Sequence, residues 1–216
     1  MDSHSHGQDP EAYALALKYW RLGIQYLHLT QQASDEISKQ RNAWLVVGEG
    51  PEPIDYAERT KWSDHMVATP VLFSFFHGIE LMLKGFAALK GPRTKPPNHS
   101  LSALASAFND EQNDAVISQF LEKYLKAATV PSPLKEFLAA SHTDIDKYYQ
   151  ALKYPESVAG QEYIHNELYY KGEWGLSFYS QLRDDIAAVR PALVCLGRSL
   201  APHAPKAGAG RHAGAS

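Results

Sequence analysis

Apolar positions along this chain recur at spacings of three and four, the period of a helix, and no stretch shows the strict alternation of a half-buried strand. Tyr13, Leu17, Trp20, Ile24 and Leu27 form the first stripe. Ahead of it, Asp9-Pro10-Glu11 supplies a helix start: a side-chain cap, proline at the first helical position, and an acid facing the positive end of the dipole. This helix is predicted to run past Gln40, with a weakening near Gly23, until Gly48-Glu49-Gly50-Pro51-Glu52-Pro53 breaks it. A polar connector is expected from there to about residue 64. The most apolar segment, Val67 to Leu89, has apolar residues around most of its circumference between Phe73 and Phe86, which predicts a buried central helix. Gly91-Pro92 ends it, and Lys95-Pro96-Pro97-Asn98 makes a stiff loop.

His99-Ser100-Leu101 then opens a short helix bearing Leu101, Leu104 and Phe108, capped by Asn98 or Ser100. A further helix is expected from Asp110 to Ala128, with Val116, Phe120 and Tyr124 facing inward and Leu121 as a fourth candidate. Pro131 and Pro133 interrupt, helical spacing resumes from Leu134 to Leu152, and Lys153-Tyr154-Pro155 stops it, because the residue before proline avoids helical geometry. After a mixed connector at 156–172 comes a long final helix from about Glu173 to Leu200, in which Pro191 starts a new turn or a kink. Residues 1–9 and the Ala/Gly-rich residues 201–216 read as disordered tails, which leaves 10–200 as one helical domain. Short connections between long helices favour antiparallel neighbours, so the fold class is all-α: an up-and-down helical bundle with extra helices.

Composition narrows the functions available. A chain of 216 residues buries roughly 70% of its extended surface and needs no metal or disulfide staple. Its net charge of -3 lacks the basic excess of a generic nucleic-acid binder, so any contact with RNA must use a local patch. The single cysteine, Cys195, sits in the apolar run Ala192–Leu196, where a small core residue is expected. Met1-Asp2-Ser3-His4-Ser5-His6 lacks the regions of a signal peptide, and no apolar run approaches the roughly 20 residues of a bilayer span. The cytoplasm is therefore the expected address, with no membrane partner. His77, Glu80, His142, Asp144 and Asp146 lack metal-ligand spacing, and no metal or cofactor is expected. Tyr169, Tyr170 and Trp174 read as core more readily than as an interface.

Two segments taken together resemble a known family. One is Glu80-Leu81-Met82-Leu83-Lys84-Gly85-Phe86, followed by Leu89-Lys90-Gly91, a short loop and His99-Ser100-Leu101. The other is Asp144-Ile145-Asp146-Lys147-Tyr148-Tyr149, followed by Lys153-Tyr154-Pro155 and a long terminal helix. This order is similar to that of the HEPN domain, a helical bundle whose members often read Glu-x-x-Leu-Lys, a loop, His-x-Leu, and later Tyr, a basic residue and Tyr-Pro. The resemblance spans roughly residues 65–200, with residues 10–45 supplying the first helix. It implies one of two things. Some members are metal-independent ribonucleases of toxin and antiphage systems, working as dimers with an Arg-x(4–6)-His motif. Others bind nucleotides or RNA, or pair with nucleotidyltransferase domains.

Arg93-Thr94-Lys95-Pro96-Pro97-Asn98-His99 meets the ribonuclease spacing, and the pair suits the reaction: histidine takes a 2′-hydroxyl proton while arginine steadies phosphate charge. The family's catalytic pair usually lies at the start of the last core helix, whereas this one lies in a Pro-rich loop. Arg21-x(6)-His28 satisfies the same letters inside a helix. The leading expectation is thus a nucleotide- or RNA-associated binding module of a bacterial toxin–antitoxin or defence system, a homodimer through its apolar long helices, with an antitoxin or nucleotidyltransferase as candidate partner. The alternatives are an endoribonuclease using Arg93 and His99, and a purely structural interaction module. For binding, Glu80 and Lys84 stand four apart on one helical face with His77 just before them; the apolar surroundings favour a buried or cleft-facing ion pair, Lys84 is the first candidate for phosphate, and His99 lies in the His-x-Leu motif. Tyr149, Lys153 and Tyr154, beside Tyr148, combine aromatic faces with a cation, as base stacking and phosphate contact require.

Overall fold

Three long helices carry the core of this protein. They belong to a computed structural model whose described residues are 9–43, 53–90, 100–112, 114–169 and 171–202. The α-helices among them are α1 (Pro10–Lys39), α2 (Pro53–Thr60), α3 (Asp64–Ala88), α4 (Leu101–Gln112), α5 (Ala115–Leu125), α6 (Leu134–Ala140), α7 (Tyr148–Ala151) and α8 (Gly172–Ser199). Two 3-10 turns, Ile145–Lys147 and His165–Leu168, complete the order. The described residues form no strand, only an isolated bridge between Glu156 and Glu162. The protein is all-α and built as a helical bundle.

The start of α1 follows its local chemistry: the Asp9 carboxylate accepts the Glu11 N–H at 2.9 Å. Its end is a left-handed turn, with Arg41 at φ 57 and Asn42 at φ 49. There Asn42 N–H bonds Ile37 C=O and Arg41 N–H bonds Ser38 C=O, which satisfies carbonyls the helix would otherwise leave open. Between these ends α1 runs antiparallel to both α3 and α8. Trp20 Nε1 donates to Met82 C=O at 3.2 Å and Asn42 reaches Asp64 at the opposite end of α3. Tyr13 hydroxyl donates to Gly197 C=O, while Ser38 meets Ser180 near the start of α8.

Close approach of α1 and α3 depends on Gly85. A Cβ there would lie 2.3 Å from Trp20 Nε1, inside a ring that has nowhere to move. Phe75, Phe76, Leu72 and Ile79 of α3 are fully or almost fully buried, with Phe75 edge-on to Tyr124 of α5. By length and composition α3 does qualify as a membrane span, which corrects the expectation that no apolar run is long enough. Yet 61% of its most apolar window is buried inside the protein, so its apolar surface is spent largely on neighbouring helices.

Several expectations change for local reasons. The connector before residue 64 contains α2. Ser100 holds the α4 cap, its hydroxyl accepting Ala103 N–H at 3.1 Å. The helix expected over Leu134–Leu152 is divided, because α6 closes at Ser141 with His142 left-handed (φ 45) and Thr143 N–H bonded to Leu138 C=O. The helix α8 continues through Pro191. Leu17, Val116, Trp174 and Cys195, read as inward or core residues, are exposed. The expected tails lie outside the described residues except at Asp9, Ala201 and Pro202, as do Tyr170 and the loop Lys95–Asn98.

Candidate functional site

On one flank of α3, His77, Glu80 and Lys84 follow one another at helical spacing, and α7 brings Tyr148 against them. Glu80 is only 2% exposed. Its carboxylate receives Lys84 Nζ at 2.6 Å and the Tyr148 hydroxyl, with His77 Nδ1 at 3.6 Å. A buried carboxylate without such partners would be costly, so the cluster explains how an acid sits in the most apolar helix. Burial, and then the neighbouring Glu80, pushes the Tyr148 hydroxyl well above its ordinary pKa and keeps it a proton donor. His77 in turn lies between two rings. Phe73 stacks on it at 5.7 Å, nearly parallel, and Tyr26 of α1 meets it edge-on at 4.7 Å.

A second group lies on the solvent side of Phe73. Tyr149, whose ring is 5.7 Å from that of Phe73, is 40% exposed, and Tyr154 is 47% exposed. Lys153 stands over both: its ammonium is 4.7 Å from the Tyr149 ring centre, 5.3 Å from that of Tyr154, and donates to the Tyr149 hydroxyl at 3.0 Å. The hydrogen bond to Tyr149, then that to Tyr154, raises the lysine pKa, so the cation persists across neutral pH. Among the described residues Lys153 has no carboxylate partner. Lys84, by contrast, is held by Glu80 and only 16% exposed. Beside this pair of tyrosines is an open cavity of about 600 Å³ lined also by Gln150, Pro155, Glu156, Ser157 and Val158.

The loop forming the cavity wall is ordered by its own backbone. Tyr163 N–H bonds Pro155 C=O, Ser157 N–H bonds Gln161 C=O, and Gly160 takes φ 80 at the tip. Behind it, Ser141 ties the loop to α6: its hydroxyl accepts Ile164 N–H and its carbonyl accepts Gln161 Nε2.

Glu80 and Lys84 therefore fall in the buried cluster, and Tyr149, Lys153 and Tyr154 in the exposed one, bridged by Phe73 and by the Tyr148–Tyr149 contact at 6.3 Å. Arg93 and His99 lie outside the described residues. Sequence reading missed Phe73, Tyr26 and Glu156. Phe73 had a usable signal, standing four residues before His77 and seven before Glu80 on the same helical flank. Tyr26 had none, since its meeting with His77 is decided by how α1 lies on α3. Among the described residues no three His, Cys, Asp or Glu side chains gather as metal ligands would.

A different polar joint ties the helix ends together. Asp64, fully buried at the start of α3, accepts Asn42 Nδ2 at 2.8 Å and Lys171 N–H at 2.9 Å, while Asn42 Oδ1 accepts Asp64 N–H at 2.7 Å. This joint is deep and closed, and its role is to hold the ends of α1, α3 and α8 in register. The chain matches no protein-family model, no curated protein and no solved structure.

Proposed function

We propose that this chain is a HEPN-like, non-catalytic module that binds a nucleotide or a short stretch of single-stranded RNA on its Tyr149–Lys153–Tyr154 face. The carrying observation is the Lys153 ammonium standing over two exposed rings without a described carboxylate partner, beside a cavity of about 600 Å³. Base stacking on tyrosine supplies affinity, the lysine meets phosphate, and Glu156 in the cavity wall is an acceptor suited to a ribose hydroxyl. The buried Glu80–Lys84–Tyr148 cluster serves as the scaffold that sets Phe73 and Tyr149 in place. The module belongs to a cytoplasmic toxin–antitoxin or defence system, with an antitoxin or nucleotidyltransferase as partner.

Binding of a fluorescein-labelled 12-nucleotide single-stranded RNA to the full chain, followed by anisotropy at low and moderate salt, tests this. Stacking is worth about 1–3 kcal/mol per base, so Tyr149→Ala with Lys153→Ala is expected to weaken binding by roughly 10- to 100-fold. Unchanged affinity in that double variant, or no binding by the parent to RNA or nucleotides, sinks the proposal. Cleavage of the RNA in EDTA, lost in His99→Ala, would replace it by the endoribonuclease reading.

The exposed side of α1 favours pairing with a second copy. Leu15, Leu22 and Leu29 recur every seven residues on α1, are all exposed, and border Tyr26, which touches His77. A heptad row of solvent-facing leucines is the pattern of a helix that packs against another helix. Leu22→Glu is expected to convert the dimer to monomer in sedimentation velocity at micromolar concentration. A parent chain that already sediments as monomer rejects the homodimer.

A further inference from the structure

Between α1 and the second half of α8 runs an open groove made of two cavities, about 420 and 590 Å³, that share Ile24, Val194 and Arg198. Apolar side chains including Trp20, Ile24, Leu193 and Pro191 line it. Its charged lining is all of one sign: Arg21, Arg190 and Arg198, with no Asp or Glu. Among the described residues these three arginines form no ion pair, whereas Lys39, Lys84, Lys123, Lys171 and Arg183 each hold a carboxylate. Among the described residues Arg190 meets Gln31 Oε1 at 2.6 Å and His28 Nδ1 at 3.3 Å and no carboxylate, and its Nε is buried without an acceptor. An arginine that holds no carboxylate of its own can donate to one brought by a partner.

The charge selects the occupant. A second copy docked here about a two-fold axis would set these arginines against their own copies. The segment 201–216 of the chain itself carries Lys206 and Arg211 and no acid, so it has the wrong sign. A nucleic acid would use the cations but leave the apolar lining unfilled, and a flat bilayer does not enter a groove. From Ala187 to Arg198 the groove runs about 17 Å at the α-helical rise, the length of three helical turns.

We propose that this groove docks an acidic amphipathic helix of a partner protein. Apolar anchors at i, i+3 or i+4, and i+7 enter between α1 and α8, and flanking Asp or Glu residues meet Arg21, Arg190 and Arg198. Electrostatic complementarity supplies the specificity and the encounter rate, and the apolar lining supplies the hold.

Cys195 makes the test direct, because it is the only cysteine in the chain, is exposed and lines the groove. A library of helical 16-residue peptides displayed on phage is selected against the full chain, and the enriched sequences are synthesised with a fluorescent label. Enriched peptides are expected to carry a net negative charge and the stated apolar spacing. At saturation they are expected to slow maleimide alkylation of Cys195 at least fivefold. Arg21→Glu with Arg198→Glu, both exposed positions chosen so that the fold survives by circular dichroism, is expected to weaken binding at least tenfold. The Tyr149→Ala/Lys153→Ala chain serves as a control and is expected to bind the peptide normally, so this result stands apart from the RNA reading. Selection that yields no binder, binders without acidic bias, or binding that leaves Cys195 alkylation unchanged overturns the proposal. Protection of Cys195 by single-stranded RNA would reassign the groove to nucleic acid and overturn it equally.

Discussion

Glu80→Ala is expected to lower the unfolding free energy by about 3 kcal/mol, a large share of the 5–15 kcal/mol that holds a domain of this kind together. The acid is 2% exposed and receives Lys84 Nζ and the Tyr148 hydroxyl. Removing one partner of a buried pair costs about 3–5 kcal/mol because the other charge is left desolvated. The lower end applies because Lys84 is 16% exposed and its long stem lets the ammonium turn toward water. Glu80→Gln keeps an acceptor for Tyr148 while losing the ion pair, and falls between parent and alanine. The informative control replaces three members together: Glu80→Leu with Lys84→Met and Tyr148→Phe removes both charges of the ion pair and the hydroxyl while His77 stays, so part of the lost stability returns. Urea unfolding followed by far-UV circular dichroism reads all three. A loss below about 1 kcal/mol for Glu80→Ala would mean that the cluster is not the anchor described, and with it the scaffold role beneath Tyr149 fails.

At the other end of α3, Asp64→Ala is expected to cost about as much, for a different reason. Its carboxylate serves Asn42 Nδ2 and the Lys171 backbone N–H, which join three helix ends at a fully buried point. Each buried donor left without an acceptor costs about 1–3 kcal/mol, and loss of an acid in the first turn of a helix adds about 0.3–1 kcal/mol. Because Asn42 Nδ2 keeps the Gly172 carbonyl at 3.3 Å, the expected total falls in the lower part of the summed range, about 2–4 kcal/mol, read as a drop in the urea midpoint. Asn42→Ala removes the facing partner and puts alanine at φ 49, where asparagine is tolerated better. The double variant Asn42→Ala/Asp64→Ala is expected to lose less than the sum of the two single changes, because they share one set of hydrogen bonds. Strict additivity would show that the two side chains do not act as a unit.

Both predictions turn on residues of different legibility. Glu80 and Lys84 stand four apart in an apolar helix, and the cost of an unpaired charge there was enough to expect a pair. That Tyr148 rather than Tyr149 reaches Glu80 was not readable, since both tyrosines fit the same helical spacing until the break at His142 set the angle of α7. Lys153 and its two tyrosines were visible as a cluster because they fall within six residues just ahead of the stop at Pro155. Asn42 and Asp64 left no mark, being 22 residues apart with α2 between them.

What the sequence determined by itself is the set of elements whose causes lie within a turn or two. The Asp9-Pro10 start, the apolar circumference of α3, the Asp9 cap and the arrest at Pro155 all depend on near neighbours, so local chemistry suffices. The tertiary structure decided which apolar side chains are covered. Leu17, Val116, Trp174 and Cys195 have the same local surroundings as many core residues, yet remain exposed. A helical period states which residues share a face. It does not state how wide a face the distant helices will cover, because that is settled by packing between segments far apart in the chain.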